Sequence, residues 1–219
     1  MFIVIDGIDS SGKATQVACL KDYFESQGKI VKVLDYPRYG QKSAYFVEAY
    51  LNGKYGEEVG PKTASMFYAL DRFDSLQDIK DSLSHADIII SNRYVSANMI
   101  HQAGKISDAQ ERDRFLDWLE DLEYGIFGLP RPDVTVFLHI PLELSFELHK
   151  KKEKRSYIEG KVNTDLHESD FLHMQAAYNT ANFVAQKHGW ATIDCAPDGQ
   201  ILSKEAITKK IIERLGVNF

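Results

Sequence analysis

Short apolar runs rich in β-branched residues alternate along this chain with longer stretches whose apolar positions recur every three or four residues. The short runs are Phe2–Asp6, Ile30–Asp35, Ala86–Ser91, Val134–His139 and Trp190–Cys195. Helical spacing marks Lys13–Gln27, Lys62–Ser82, Asp108–Tyr124, Leu142–Lys150, Glu168–His188 and Leu202–Leu215. Strands separated by helices predict an α/β fold, a parallel sheet covered on both faces. No repeat or low-complexity segment interrupts the pattern, and 219 residues suit one sizeable domain rather than two. In such sheets ligands bind beyond the carboxyl ends of the strands. That rule directs attention to the residues after Asp6, Asp35, Ser91 and His139.

The first of these places carries Gly7-Ile8-Asp9-Ser10-Ser11-Gly12-Lys13, a Gly-x-x-x-x-Gly-Lys segment between a predicted strand and a predicted helix. Glycines let the chain curl so that successive N–H groups point at phosphate oxygens, and the helix start adds its positive dipole end. Lys13 supplies a full positive charge for the β- and γ-phosphates. Gly7, Asp9, Ser10, Ser11, Gly12, Lys13, Ala14 and Thr15 form the expected nucleotide-binding segment. Ala14 stands where a Ser or Thr hydroxyl usually ligates Mg²⁺, and Thr15 lies roughly 100° further round the helix.

The remaining segments are less specific when read singly. Tyr36-Pro37-Arg38-Tyr39-Gly40 follows the second strand, and Arg38 has the planar fork suited to phosphate. It fits a turn with one surface arginine equally well. Asp71 and Arg72, near Tyr68, read by themselves as the solvated face of a long helix. Asn92-Arg93-Tyr94 follows the third strand, with Asn98, His101 and Gln102 within the next turns. Asn and Gln side chains can read a base edge through paired donors and acceptors, and the same residues suit a helix N-terminus. The basic run Lys150 to Arg155 is either a solvated helix end or a mobile lid over the transferring phosphate.

Bulk properties narrow the class. A net charge of -6 gives no basic footprint for nucleic acid. No apolar run approaches the ~20 residues needed to span a bilayer, and no secretory pattern opens the chain, so the expected setting is cytoplasmic. Cys19 and Cys195 form no Cys-x-x-Cys pair and are expected to be buried thiols.

Taken in order, Gly7–Thr15, Tyr36–Gly40, Ala69–Arg72, Asn92–Gln102, Leu129–Pro132 and the lid-like stretch from Arg155 to Glu168 resemble the thymidylate kinases. The resemblance implies a P-loop NTPase fold with a five-stranded parallel sheet in a single domain over 1–219, with a lid at about 150–166. It implies ATP and dTMP as substrates, Mg²⁺ as cofactor, and a homodimer. Carried over by position, Lys13 and the loop amides hold ATP, and Asp9 approaches the sugar 3′-hydroxyl, the reacting phosphates and the metal. Arg38 and Arg93 clamp the acceptor phosphate, Tyr68 stacks near the base, and Arg72 and Asn98 bond its edge. Tyr36, Tyr39, His101 and Gln102 complete the acceptor site. The loop position that carries a catalytic arginine in some members is Ser10 here, which assigns that role to Arg155 in the lid. Asn92 stands where the family has Asp, and His101 and His167 stand where aromatics are common. These departures leave open another nucleoside or deoxynucleoside monophosphate as acceptor, or a nucleotide-binding homologue with impaired catalysis.

Overall fold

The computed structural model describes residues 1–56, 58–156 and 164–217, with side chains described outside 151–170. Five parallel strands form one sheet: β1 (Phe2–Asp6), β2 (Val31–Asp35), β3 (Ile88–Asn92), β4 (Val134–His139) and β5 (Ala191–Asp194). Their spatial order is β2-β3-β1-β4-β5. The central strand β1 is buried at every position, as a sheet covered on both faces requires. It pairs with β3 on one side (Ile3 opposite Ile90) and with β4 on the other (Ile3 opposite Val134). The chain leaves β1 toward one edge, returns through β3, and then crosses to β4. The switch in direction therefore opens a crevice beyond the carboxyl end of β1.

The helices are α1 (Lys13–Ser26), α2 (Tyr45–Leu51), α3 (Pro61–Asp74), α4 (Leu76–His85), α5 (Val95–His101), α6 (Ala109–Glu120), α7 (Leu142–Ser156), α8 (Thr164–Lys187) and α9 (Lys204–Leu215). Helix α1 packs against α9 and β3, whereas α5 packs against α8. The core joins Ile3, Val4, Ile5, Ile89 and Ile90 of the sheet to Leu20, Phe24, Ile100, Leu116 and Ile211 of the helices. Cys195 is buried with them, but Cys19 is only half-buried, which corrects the expectation of two buried thiols.

Two helices differ from the periodicity in a way that matters for the site. The expected helix Lys62–Ser82 is divided at Ser75 into α3 and α4. Ser75 Oγ donates to the Arg72 carbonyl at 2.7 Å and meets the Tyr36 hydroxyl at 2.6 Å. A buried hydroxyl that bonds back onto its own helix competes with the backbone ladder. The second expected helix, Asp108–Tyr124, ends as α6 at Glu120 and widens into a π-turn over Asp121–Ile126. This turn carries Glu123 into the interior, where it is fully buried.

Candidate active site

The loop after β1 is shaped by two left-handed glycines and one left-handed serine. Gly7 has φ 153°, Gly12 φ 89° and Ser10 φ 60°. A Cβ on Gly7 would lie 2.7 Å from Ser11 Oγ and 2.8 Å from the Leu138 carbonyl oxygen, so only glycine fits. Lys13 opens α1 and is buried, its Nζ donating to the carbonyls of Gly7 at 3.0 Å and Ile8 at 2.7 Å. The ammonium is thus held inside the curl of the loop. Ser10 Oγ and Ser11 Oγ are buried without a hydrogen-bond partner, which marks the cradle as built for an occupant. Ala14 and Thr15 lie exposed in the first turn of α1.

Asp6 anchors this loop. Its fully buried carboxylate accepts from the Gly7 amide at 2.8 Å through one oxygen and from Ser96 Oγ at 2.6 Å through the other. Ser96 belongs to α5, so the loop and α5 hang on one side chain. Sequence reasoning passed over both residues, because the Asp6–Ser96 contact joins positions 90 apart.

A cleft of about 930 Å³ opens beside the loop, lined among others by Asp9, Tyr39, Tyr68, Arg72, Asn98 and Gln102. Arg93, also on its wall, sits at the tip of β3 with φ 64°, an uncommon conformation for a residue with a side chain. Its amide donates to the Ile5 carbonyl at 3.0 Å, and its carbonyl accepts from Ser91 Oγ. The guanidinium donates from Nη2 to Asp9 Oδ1 at 2.5 Å and meets His101 Nε2 at 2.8 Å through Nη1. Burial by itself would raise the Asp9 carboxyl. The Arg93 guanidinium, with His101 and Lys13, reverses this and holds it well below the usual carboxylate range. Burial, and then the Arg93 charge, lower the His101 imidazole from 6.5 to about 3, against the pull of Asp9. His101 is therefore neutral at pH 7, and Nε2, facing a donor, carries no proton. His101 also stacks on His173 of α8, with ring centroids 5.9 Å apart.

The deep end of the cleft is a polar network. Arg72 is buried and grips Glu123 side-on, Nε to Oε2 at 2.5 Å and Nη2 to Oε1 at 2.6 Å. Asn98 Nδ2 donates to Glu123 Oε1 at 3.0 Å and to the Ser65 carbonyl at 3.1 Å. Gln102 is buried, and its Oε1 has no hydrogen-bond partner. Asp71 and Arg72 are both buried, which overturns their reading as a solvated face. Glu123 was missed altogether, because its partners Arg72 and Asn98 lie 51 and 25 residues away along the chain.

Arg38 departs from expectation. Instead of facing the cleft beside Arg93, it is drawn to α3. Its Nε pairs with Asp71 Oδ1 at 3.2 Å and its Nη2 with Asp74 Oδ2 at 2.6 Å. The Arg38 amide and Ser43 Oγ also donate to the Asp71 carboxylate. Two carboxylates on successive turns outcompete an open cleft for the guanidinium. Tyr36 has a buried ring in the same wall, and the Tyr36–Pro37 peptide is cis. Asn92 Nδ2 donates to Asp35 Oδ1 at 2.8 Å and ties the tips of β2 and β3, while its own Oδ1 is buried without a partner.

Of the expected lid at about 150–166, residues 157–163 lie outside the described residues, as do the side chains of Arg155 and His167. The backbone of residue 155 belongs to α7. Among the described residues no cluster of three His, Cys, Asp or Glu side chains could hold a metal ion, and no helix is long and apolar enough to cross a membrane.

Residues 5–202 match the family described as "Thymidylate kinase". A thymidylate kinase from Mycobacterium tuberculosis is 30% identical over 192 residues, 87% of either chain. One from Neisseria meningitidis serogroup C is 32% identical over 145 residues, 66% of either chain. With a glycine-rich loop closed on a buried lysine beside a polar cleft, and with a match over nearly its whole length, this chain belongs to the thymidylate kinase family.

Proposed function

We propose that the protein transfers the γ-phosphoryl group of ATP to dTMP, giving dTDP and ADP. The observation that carries this reading is the continuity of one cleft from Asp9 of the phosphate loop to Arg72, Asn98 and Gln102. A polyphosphate on the loop would point its terminal group toward an acceptor phosphate at Arg93. An oxygen of that phosphate attacks γ-phosphorus, the bond to the β,γ-bridging oxygen breaks, and ADP leaves with that electron pair. Little covalent chemistry falls to the protein, so the rate comes from placement and charge. Lys13 and the loop amides hold the donor, Arg93 holds the acceptor, and Asp9 keeps Arg93 oriented. Tyr39 and Tyr68 line the acceptor cleft, and His101 presents a neutral ring beside Arg93. Arg155 supplies the further positive charge over the transferring group.

Mg²⁺ is the cofactor the family implies. It typically takes one or two carboxylates plus substrate phosphates and keeps several waters, so a dedicated cage is not required. Asp9 fits that role, because Arg93 occupies Oδ1 and its side chain remains 38% exposed. Bound there with the nucleotide, the ion would offset charge on the phosphate oxygens.

We further read the protein as a cytoplasmic homodimer. Met66, Leu70 and Phe73 lie at i, i+4 and i+7 of α3 and are all exposed, with Ile126 exposed beside Phe127, whose ring meets Phe73 at 4.9 Å. Such an apolar face on the outer side of a site-forming helix suits a second copy.

The test is turnover of purified protein with ATP, Mg²⁺ and a panel of nucleoside monophosphates. Thymidylate should rank first, and Lys13→Ala should remove turnover while the protein stays folded. Absence of dTDP at saturating substrates would end this reading.

A further inference from the structure

We propose that Glu123 is the positioning residue that sets which edge of a base the acceptor cleft can read, an inference resting on the acceptor reading above. Glu123 is fully buried and takes three donors: Arg72 Nε, Arg72 Nη2 and Asn98 Nδ2. Arg72 and Asn98 also line the cleft. The carboxylate therefore acts on the acceptor through two side chains that can touch it.

The polarity of this arrangement follows from donor and acceptor inventories. A carboxylate accepts only, and so does the Ser65 carbonyl that shares Asn98 Nδ2. With both on one side, the Asn98 NH₂ group must face them, and Oδ1 turns the other way as an acceptor. The side-on grip on Arg72 uses Nε and Nη2, leaving the Nη1 hydrogens as donors. Among the described residues neither Nη1 of Arg72 nor Oδ1 of Asn98 bonds to protein. What remains for the ligand is a donor beside an acceptor. That pair complements a base edge with a carbonyl oxygen next to a ring N–H, as in thymine at O4 and N3. It opposes an edge with an exocyclic amine next to a bare ring nitrogen, as in cytosine, where donor would meet donor and acceptor would meet acceptor. Without Glu123 the guanidinium loses its plane of reference, and the Asn98 amide keeps only Ser65.

The test is steady-state kinetics of the full chain on thymidylate and deoxycytidylate. Glu123→Gln is nearly isosteric but offers one acceptor oxygen, and its NH₂ must face a donor of Arg72 or Asn98. The expected result is a KM for thymidylate raised about tenfold or more, with kcat changed by no more than about threefold and the KM for ATP unmoved. The kcat/KM preference for thymidylate over deoxycytidylate should fall about fivefold or more. Removing a buried charge leaves Arg72 unpaired, so this variant is at risk of misfolding. Glu123→Asp keeps the charge, withdraws it by one methylene, and should show a smaller rise in the same KM. A folded variant with an unchanged KM for thymidylate overturns the proposal. So does a loss in kcat shared equally by both acceptors, which is what a purely structural ion pair gives. Failure of the wild-type protein to phosphorylate thymidylate would instead count against the acceptor reading.

Discussion

Acidification should weaken this protein through His101. The imidazole is held neutral down to about pH 3 in the folded state, against an ordinary value of 6.5. Burial is the first cause and the Arg93 guanidinium, in contact through Nη1, the second. Asp9 pulls the other way, and the remaining neighbours that face the ring are Lys13 and His173. Between the two values the unfolded chain binds a proton that the folded chain refuses, so acid favours unfolding. The contribution is absent above 6.5 and grows as pH falls toward 3. At about 1.4 kcal/mol per unit, moving from pH 7 to pH 5 costs up to ~2 kcal/mol, and about 1 to 2 kcal/mol once partial solvent access is allowed. Urea unfolding followed by circular dichroism at both pH values measures the total loss. His188, also held below its ordinary value, adds a loss of the same sign, which is why the comparison needs a variant. In His101→Gln the loss between the two pH values should shrink by about 1 to 2 kcal/mol. Equal losses in wild type and variant would show that burial and the Arg93 charge do not hold this ring neutral in the folded state.

Three other outcomes bear on the site and assembly. Gly7→Ala places a methyl group 2.8 Å from the Leu138 carbonyl oxygen, a backbone atom that cannot step aside. A loss of about 1 to 3 kcal/mol in stability is expected, with weaker ATP binding by calorimetry, and wild-type ATP affinity would contradict the loop geometry. Arg155→Ala should lower kcat by about 100-fold or more with the protein fully folded, and an unchanged rate removes Arg155 from the chemistry. Leu70→Glu puts a charge on the apolar face of α3, and sedimentation should then report the mass of one chain; an undisturbed dimer means the interface lies elsewhere.

The residues that determine the sheet speak locally. Phe2–Asp6 and Val134–His139 are strands with the bounds read from their composition, because a strand buried on both faces is a continuous apolar run. The shape of the loop after β1 was equally legible, since its glycines and Lys13 serve a conformation set within seven consecutive residues. Contacts between distant positions left no such trace. Nothing around Arg38 announces that Asp71 and Asp74 will capture it, and nothing around Glu123 announces a π-turn that buries it. Helix α2 escaped for a different reason. Its seven residues are too short for a period to establish itself, and three of them are aromatic.

Asp6 gives the loop after β1 and helix α5 a common datum. One of its oxygens holds the amide that begins the loop after β1, and the other holds the hydroxyl of Ser96, two residues before Asn98 and five before His101. The proposed donor and acceptor seats would thereby be indexed to a single buried side chain at the end of the central strand. If the proposed seats are right, a shift of the outer helices that leaves Asp6 in place would leave the spacing between the two seats unchanged.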